Sequence, residues 1–75
     1  MEEIWGGLLG RNIQSIRLKC GLTQAKTAER LKDRGIEMSG RKLSNIETGR
    51  KNVSVRELMA LQELFGVGYE EFFRE

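Results

Sequence analysis

The strongest constraint on this chain is a repeated order of helix signals: a capping residue, a segment with apolar residues at helical spacing, and a glycine. The residues suited to cap a helix N-terminus are Thr23, Ser39 and Ser54. The glycines suited to end a helix or to form the turn after it are Gly21, Gly35, Gly49 and Gly66. This order predicts an all-α protein, a compact bundle of five short helices near residues 9–20, 23–33, 39–48, 54–65 and 69–73.

The apolar spacing predicts which side of each helix is buried. The first helix has one stripe, made of Leu9, Ile13, Ile16 and Cys20. The inward residues of the second and third helices are Ala25, Ala28, Leu31, Leu43 and Ile46. Helix 4 begins with a capping-box pattern, Ser54 with Glu57, and its broad apolar face comprises Val55, Leu58, Met59, Ala60, Leu61, Leu64 and Phe65. Four further residues are expected to close the core, two in the connector between helices 2 and 3 and two in the last helix: Ile36, Met38, Phe72 and Phe73.

The length of 75 residues allows one small domain. We expect a flexible, acidic, glycine-rich arm over residues 1–8 and the folded domain over residues 9–73. No apolar segment approaches the roughly 20 residues that span a bilayer, so no membrane association is expected. Cys20 is the single cysteine, which excludes an internal disulfide and fits a cytoplasmic protein.

The positive charge of the chain is concentrated in its middle. Residues 11–51 hold eleven Lys and Arg against four acids, a net charge of +7, whereas residues 1–10 carry −2 and residues 52–75 carry −3. Such a basic segment is typical of a surface that binds a polyanion. An ordinary solvated helical surface rich in Lys and Arg is the alternative interpretation of the same charges.

The residue types needed for catalysis are scarce. The chain has no histidine, one cysteine on the predicted buried stripe, and no glycine-rich phosphate loop. No cluster of metal ligands is available. We therefore predict no enzymatic activity, no cofactor, no metal and no small-molecule ligand.

The segment 39–48 is the best candidate for a binding element. Its two apolar residues, Leu43 and Ile46, share one helical face, and Ser39 can cap its start. The polar side chains on the rest of its surface are Arg41, Lys42, Ser44 and Asn45. A short helix with two apolar anchors and an outer row of cationic and amide groups is suited to enter a groove of DNA.

Several short sequence pieces occur in one order along residues 9–73. They are Ile16-Arg17, Gly21-Leu22-Thr23-Gln24, Ala28-Glu29-Arg30-Leu31, Ser39, Leu43-Ser44-Asn45-Ile46-Glu47, Gly49-Arg50, and Glu57-Leu58 through Phe65-Gly66-Val67. In this order the chain resembles the lambda-type and Cro-type phage repressors and their bacterial relatives, a helix-turn-helix family. It departs from them in a longer connector, within residues 32–38, and in Thr27, where relatives usually have leucine.

The resemblance implies a role for individual residues. Helices 2 and 3 would form the helix-turn-helix unit, with helix 3 in the major groove of double-stranded DNA. The residues implied to read bases are Gly40, Arg41, Lys42 and Asn45. The residues implied to contact phosphates are Thr23, Gln24, Ser39, Ser44, Arg50, Lys51 and Asn52. A structural ion pair between Arg17 and Glu47 is also implied, and it would neutralise an acid poorly placed at a helix C-terminus.

The predicted function is sequence-specific binding of double-stranded DNA by a small transcriptional regulator, a repressor. A domain this small would act as a homodimer on a two-fold site, through Tyr69, Phe72 and Phe73 unless these residues only close the core. The main alternative is a protein-interaction module, such as an antitoxin-type partner in which DNA binding is secondary. RNA binding is a weaker alternative, because the chain lacks the aromatic platform of RNA-binding modules.

Overall fold

The computed structural model describes residues 5–75, and all regular secondary structure within them is helical. Four α-helices form the bundle: α1, Gly10–Lys19; α2, Gln24–Asp33; α3, Gly40–Glu47; and α4, Val55–Phe65. A π-helical turn, Trp5–Leu9, precedes α1, and a 3-10 helix, Tyr69–Phe73, follows α4. The all-α prediction is confirmed, whereas the count of five helices is not, because the last element is a 3-10 helix.

Only the second half of the predicted arm, residues 1–8, lies within the described residues. Residues 5–8 belong to the π-helical turn, although their glycines argued against a helix. Residues 1–4 lie outside the described residues. The boundary between arm and domain therefore stays a prediction.

The three predicted caps form as expected. Thr23 Oγ1 accepts a hydrogen bond from Lys26 N at 3.0 Å, and Ser39 Oγ accepts one from Lys42 N at the same distance. Ser54 and Glu57 form the reciprocal capping box, with each side chain accepting from the other residue's backbone N–H. The four glycines that follow the helices all have the left-handed φ values, 68° to 80°, that this residue adopts without strain.

The core lies where all four helices and the 3-10 helix meet. Its fully buried apolar side chains are Ile13, Leu31, Leu43, Ile46, Leu61 and Phe72. Ile36 and Met38 are also buried, as predicted for the connector, and Phe73 is only half-buried. Thr27 occupies a fully buried position in α2, and its hydroxyl donates to Thr23 O at 2.8 Å, so burial leaves no unpaired polar group there.

The prediction of burial is wrong for several apolar residues. Cys20 is exposed, because it caps the C-terminus of α1 and the buried place one turn earlier belongs to Arg17. Ala25 is exposed because α2 turns Thr27 inward instead. Val55 and Met59 point to solvent, since α4 buries the face that holds Glu57 and Leu61.

The connector between α2 and α3 is a loop rather than an extension of α2. Gly35 N donates to Lys32 O at 3.0 Å and Ile36 N to Leu31 O at 2.9 Å, the two hydrogen bonds of a Schellman motif. The loop then alternates buried Ile36 and Met38 with exposed Glu37. The additional residues of the connector are therefore held by the core.

At Gly10, α1 lies close to the backbone of α3. A Cβ atom at this position would lie 2.2 Å from Ile46 O and 3.0 Å from Glu47 O. Only glycine fits here without moving the backbone of α3. Side chains larger than hydrogen are therefore excluded where α1 begins.

The C-terminal segment is fastened to α1. Asn12 Nδ2 donates to Phe72 O at 2.8 Å and to Arg74 O at 2.9 Å. Phe72 itself is fully buried, so it closes the core. Among the helices of residues 5–75, none has the length and apolar character needed to cross a bilayer.

Candidate nucleic-acid interface

The orientation of α3 is set by its two apolar anchors. Leu43 and Ile46 are almost completely buried, so the opposite side of the helix faces solvent. Arg41, Asn45 and Thr48, spaced four and three apart, lie on that opposite side. Arg41 and Thr48 are exposed and Asn45 is half-buried. The outer face of α3 therefore presents one guanidinium and one amide, and the hydroxyl of the C-cap residue Thr48 donates back to Ser44 O at 3.0 Å.

The N-termini of α2 and α3 lie side by side. A Cβ atom built on Gly40 would contact Gln24 C and Ala25 N at 3.9 Å. The first turns of two helices thus present backbone N–H groups and the positive ends of their dipoles in one place. Such an arrangement favours an anion, and a phosphate is an anion of suitable size.

The cap residues Thr23 and Ser39 belong to this same edge. Their hydroxyl oxygens accept backbone N–H groups, which leaves each hydroxyl proton available to donate. Both residues are exposed. Ser44 is half-buried, one turn after Gly40 on α3. These positions suit phosphate contacts better than base contacts.

A buried ion pair fixes the far end of α3. Arg17 donates to Glu47 through Nε at 2.6 Å and through Nη2 at 3.1 Å, and the two side chains are only 7% and 1% exposed. The third donor, Arg17 Nη1, reaches Leu22 O at 2.7 Å. The pair that the family resemblance implied is therefore present, and it joins α1, the turn before α2, and α3.

Gln24, the first residue of α2, takes part in this network. Its Nε2 donates to Glu47 Oε1 at 2.9 Å, and its side chain is half-buried. A carboxamide nitrogen has two N–H donors, so one remains for a phosphate at the edge of α2. The network therefore fixes the orientation of the amide that the sequence assigned to the DNA backbone.

Lys42 is placed differently from its predicted base-reading neighbours. Its Nζ lies 2.6 Å from Glu57 Oε2, in the first turn of α4, and the residue is half-buried. Gly40 is also displaced from the outer face, since its missing side chain would point toward α2. Of the four predicted base-reading residues, Arg41 and Asn45 lie on the outer face.

The loop after α3 is held against the end of the helix. Arg50 N and Lys51 N both donate to Asn45 O, at 2.8 and 3.1 Å. The side chains of Arg50, Lys51 and Asn52 are exposed. Two cations and an amide therefore extend the polar surface of α3 beyond Gly49.

The sequence did not predict the positions of two residues, one at this surface and one buried beneath it. Thr48 follows Arg41 and Asn45 at helical spacing, so the periodicity of the segment was sufficient to find it. Glu57 was recognised only as a capping residue. Its contact with Lys42 joins residues fifteen positions apart, and no local pattern predicts it.

A short helix anchored on a second helix, with a polar outer face and a basic loop beyond it, is the arrangement of a small DNA-binding domain. A family model described as a helix-turn-helix domain matches residues 8–72. The chain therefore belongs to the helix-turn-helix domain family, and this membership indicates DNA binding. Domains of this kind are typical of non-enzymatic regulators. No curated protein and no solved structure gives a significant match to the chain.

Proposed function

We propose that this protein binds specific sequences in double-stranded DNA as a small transcriptional regulator, a cytoplasmic repressor of the lambda and Cro type. In this proposal α2 and α3 form the helix-turn-helix unit, and the N-terminal half of α3 enters the major groove. The observation that carries the proposal is the placement of Arg41 and Asn45 opposite the buried anchors Leu43 and Ile46.

The contacts divide into two classes in this proposal. Arg41 would donate two hydrogen bonds to a guanine edge, and Asn45 would pair with an adenine. The residues proposed to contact phosphates and thereby position the domain are Thr23, Gln24, Ser39, Ser44, Arg50, Lys51 and Asn52. The adjacent N-termini of α2 and α3 support this second class, because they favour negative charge.

Two copies of the chain on a two-fold site would supply the specificity that one small domain lacks. Phe72 cannot take part in such a dimer, because it is fully buried. Tyr69 is 42% exposed, and Val55 and Met59 are exposed one turn apart on α4, so these apolar side chains favour a protein contact. Sedimentation with and without DNA tests this point, and a monomer on every bound DNA fragment would refute the dimer.

Selection of bound fragments from random duplex DNA tests the proposed function directly. We expect a short, symmetric consensus sequence and an affinity that falls steeply as salt increases. Steep salt dependence without any consensus would contradict sequence-specific binding and leave only general polyanion binding.

The same exposed residues, Val55 and Met59, favour the alternative function of an antitoxin-type interaction module. In that case binding to a partner protein would be insensitive to the replacement of Arg41. Weak, salt-independent binding to duplex DNA would favour this alternative over the regulator.

A further inference from the structure

The ion pair between Lys42 and Glu57 connects the proposed DNA-binding helix to α4. The two charged atoms are 2.6 Å apart, and the side chains are 36% and 11% exposed. Lys42 follows Arg41 in sequence but lies about 100° further around the helix, as 3.6 residues per turn require. Its ammonium is thus directed to α4 rather than along the row of Arg41, Asn45 and Thr48.

Glu57 is held in place independently of Lys42. Its Oε1 accepts from Ser54 N at 2.9 Å, while the separate oxygen Oε2 accepts from Lys42. Burial raises the pKa of Glu57, but hydrogen bonds from Lys42 and Ser54 outweigh this effect and lower the pKa below its ordinary value. The carboxylate is therefore negative at neutral pH, and it cannot follow Lys42 outward without opening the capping box.

The ion pair with Glu57 makes the positive charge of Lys42 unavailable to the phosphates of DNA. A cation that neutralises a phosphate releases condensed counterions, and this release gives binding its salt dependence. The charge of Lys42 is already neutralised by a fixed carboxylate. Moving it to a phosphate would leave Glu57 buried with one partner fewer, which costs free energy.

We propose that Glu57 is a specificity-determining residue, which withholds Lys42 from DNA and leaves the base edges to Arg41 and Asn45. This inference rests on the proposed function. A recognition helix with one fewer available cation binds random DNA less tightly, while its hydrogen bonds to specific bases are kept. Glu57 would therefore increase the difference in affinity between the preferred site and other sequences.

The variant Glu57→Gln tests the inference, because glutamine keeps the amide oxygen that Ser54 N needs but cannot accept from an ammonium at the other position. We expect this variant to bind random duplex DNA about eightfold more tightly near 0.1 M salt. The salt slope, which is the change in the logarithm of the binding constant with the logarithm of the salt concentration, should become steeper by about one unit. The affinity for the selected site should rise less, so discrimination should fall.

Three further substitutions, used alone or combined with Glu57→Gln, serve as controls. Glu63→Gln makes the same charge change on the exposed side of α4 and should leave the salt slope unchanged. Lys42→Gln alone should also leave the slope unchanged, whereas Lys42→Gln added to Glu57→Gln should cancel the gain. Lys51→Gln should reduce the slope by about one unit in either background, which shows that the assay can detect a single cation.

The outcomes separate this inference from the proposed function. If the unaltered protein binds DNA and Lys42→Gln alone reduces the slope by about one unit, Lys42 contacts DNA despite Glu57 and the inference is wrong. That measurement decides the question even if Glu57→Gln fails to fold. Equal slopes for Glu57→Gln and Glu63→Gln would also overturn it. Failure of the unaltered protein to bind any duplex would instead refute the proposed function, and the inference with it.

Discussion

The two ends of α3 are both fastened by ion pairs, and the two pairs differ in every respect that matters. At the C-terminal end, Glu47 accepts two buried hydrogen bonds from Arg17 and a third, partly buried one from Gln24. At the N-terminal end, the cation belongs to α3 itself, and Lys42 makes one contact to Glu57 with a third of its side chain exposed. The first pair fixes the position of the helix, whereas the second controls which charges the helix presents.

The environment of each pair determines what its removal should do. A buried pair with satisfied hydrogen bonds leaves a costly unpaired charge when one partner is removed. A partly exposed pair contributes little to stability, because water solvates each partner and salt screens them. Replacing Glu47 should therefore change mainly the free energy of unfolding. Breaking the Lys42–Glu57 pair should change mainly the affinity for DNA.

The largest effect is expected at the buried end. Glu47→Gln leaves the Arg17 guanidinium buried without a carboxylate, so we expect the free energy of unfolding to fall by about 3–5 kcal/mol. Urea denaturation measures this loss. The double variant with Arg17→Met and Glu47→Leu should recover much of it, because no buried charge remains. A loss below about 1 kcal/mol for Glu47→Gln would contradict the contrast between the two ends.

The crossing of α1 over the same end of α3 gives the second prediction. Gly10→Ala places a methyl group 2.2 Å from Ile46 O, so the backbone must shift. We expect a loss near the upper end of roughly 1–3 kcal/mol by thermal or urea unfolding. Gly7→Ala is the matched control, since its Cβ atom would meet no atom within 4 Å and should cause no loss.

The outer face should affect DNA binding and not stability. Arg41→Ala should reduce discrimination between the selected site and random DNA by about 1–3 kcal/mol, because it removes the proposed guanine contact. Lys51→Ala should weaken both complexes equally and reduce the salt slope by about one unit. Equilibrium binding at several salt concentrations measures both effects. The same loss of discrimination from the two variants would refute the separation of base and phosphate contacts.

The smallest effect is expected on the free energy of unfolding when the Lys42–Glu57 pair is broken. Glu57→Gln keeps the capping box, so the loss should stay below about 1 kcal/mol. The lowered pKa of Glu57 means that its stabilising contribution is complete above the ordinary glutamate pKa and is lost as the pH falls through the lowered one. The difference in Tm between the unaltered protein and Glu57→Gln should therefore be constant near neutral pH and disappear in acid. A difference that grows on acidification would contradict this sign.

The local parts of the structure could be predicted from the sequence, because their causes lie within a few residues. The caps Thr23, Ser39 and Ser54 bond to N–H groups three positions away, so their residue types and spacing were sufficient. The terminating glycines are local in the same sense. Leu43 and Ile46 anchor α3 as their spacing predicted, and this placement set the side on which Arg41 and Asn45 lie.

The parts that sequence analysis missed depend on contacts between distant segments. The role of Gly10 was not predicted, because it comes from the carbonyls of α3, which the local pattern does not contain. The pairing of Lys42 with Glu57 depends on how α4 begins next to α3. Cys20 and Val55 lie at helix ends, where the chain leaves the core. There the helical spacing of apolar residues no longer predicts which side chains are buried.

The connector has a practical consequence. Ile36 and Met38 hold it to the core on either side of Glu37, whose side chain points into solvent. A fluorophore attached through a cysteine at position 37, with Cys20 replaced by serine, would move with α2 and α3 as one body while leaving both anchors intact. Its rotational freedom would then report the tumbling of the whole domain, so that fluorescence anisotropy could follow complex formation without labelled DNA.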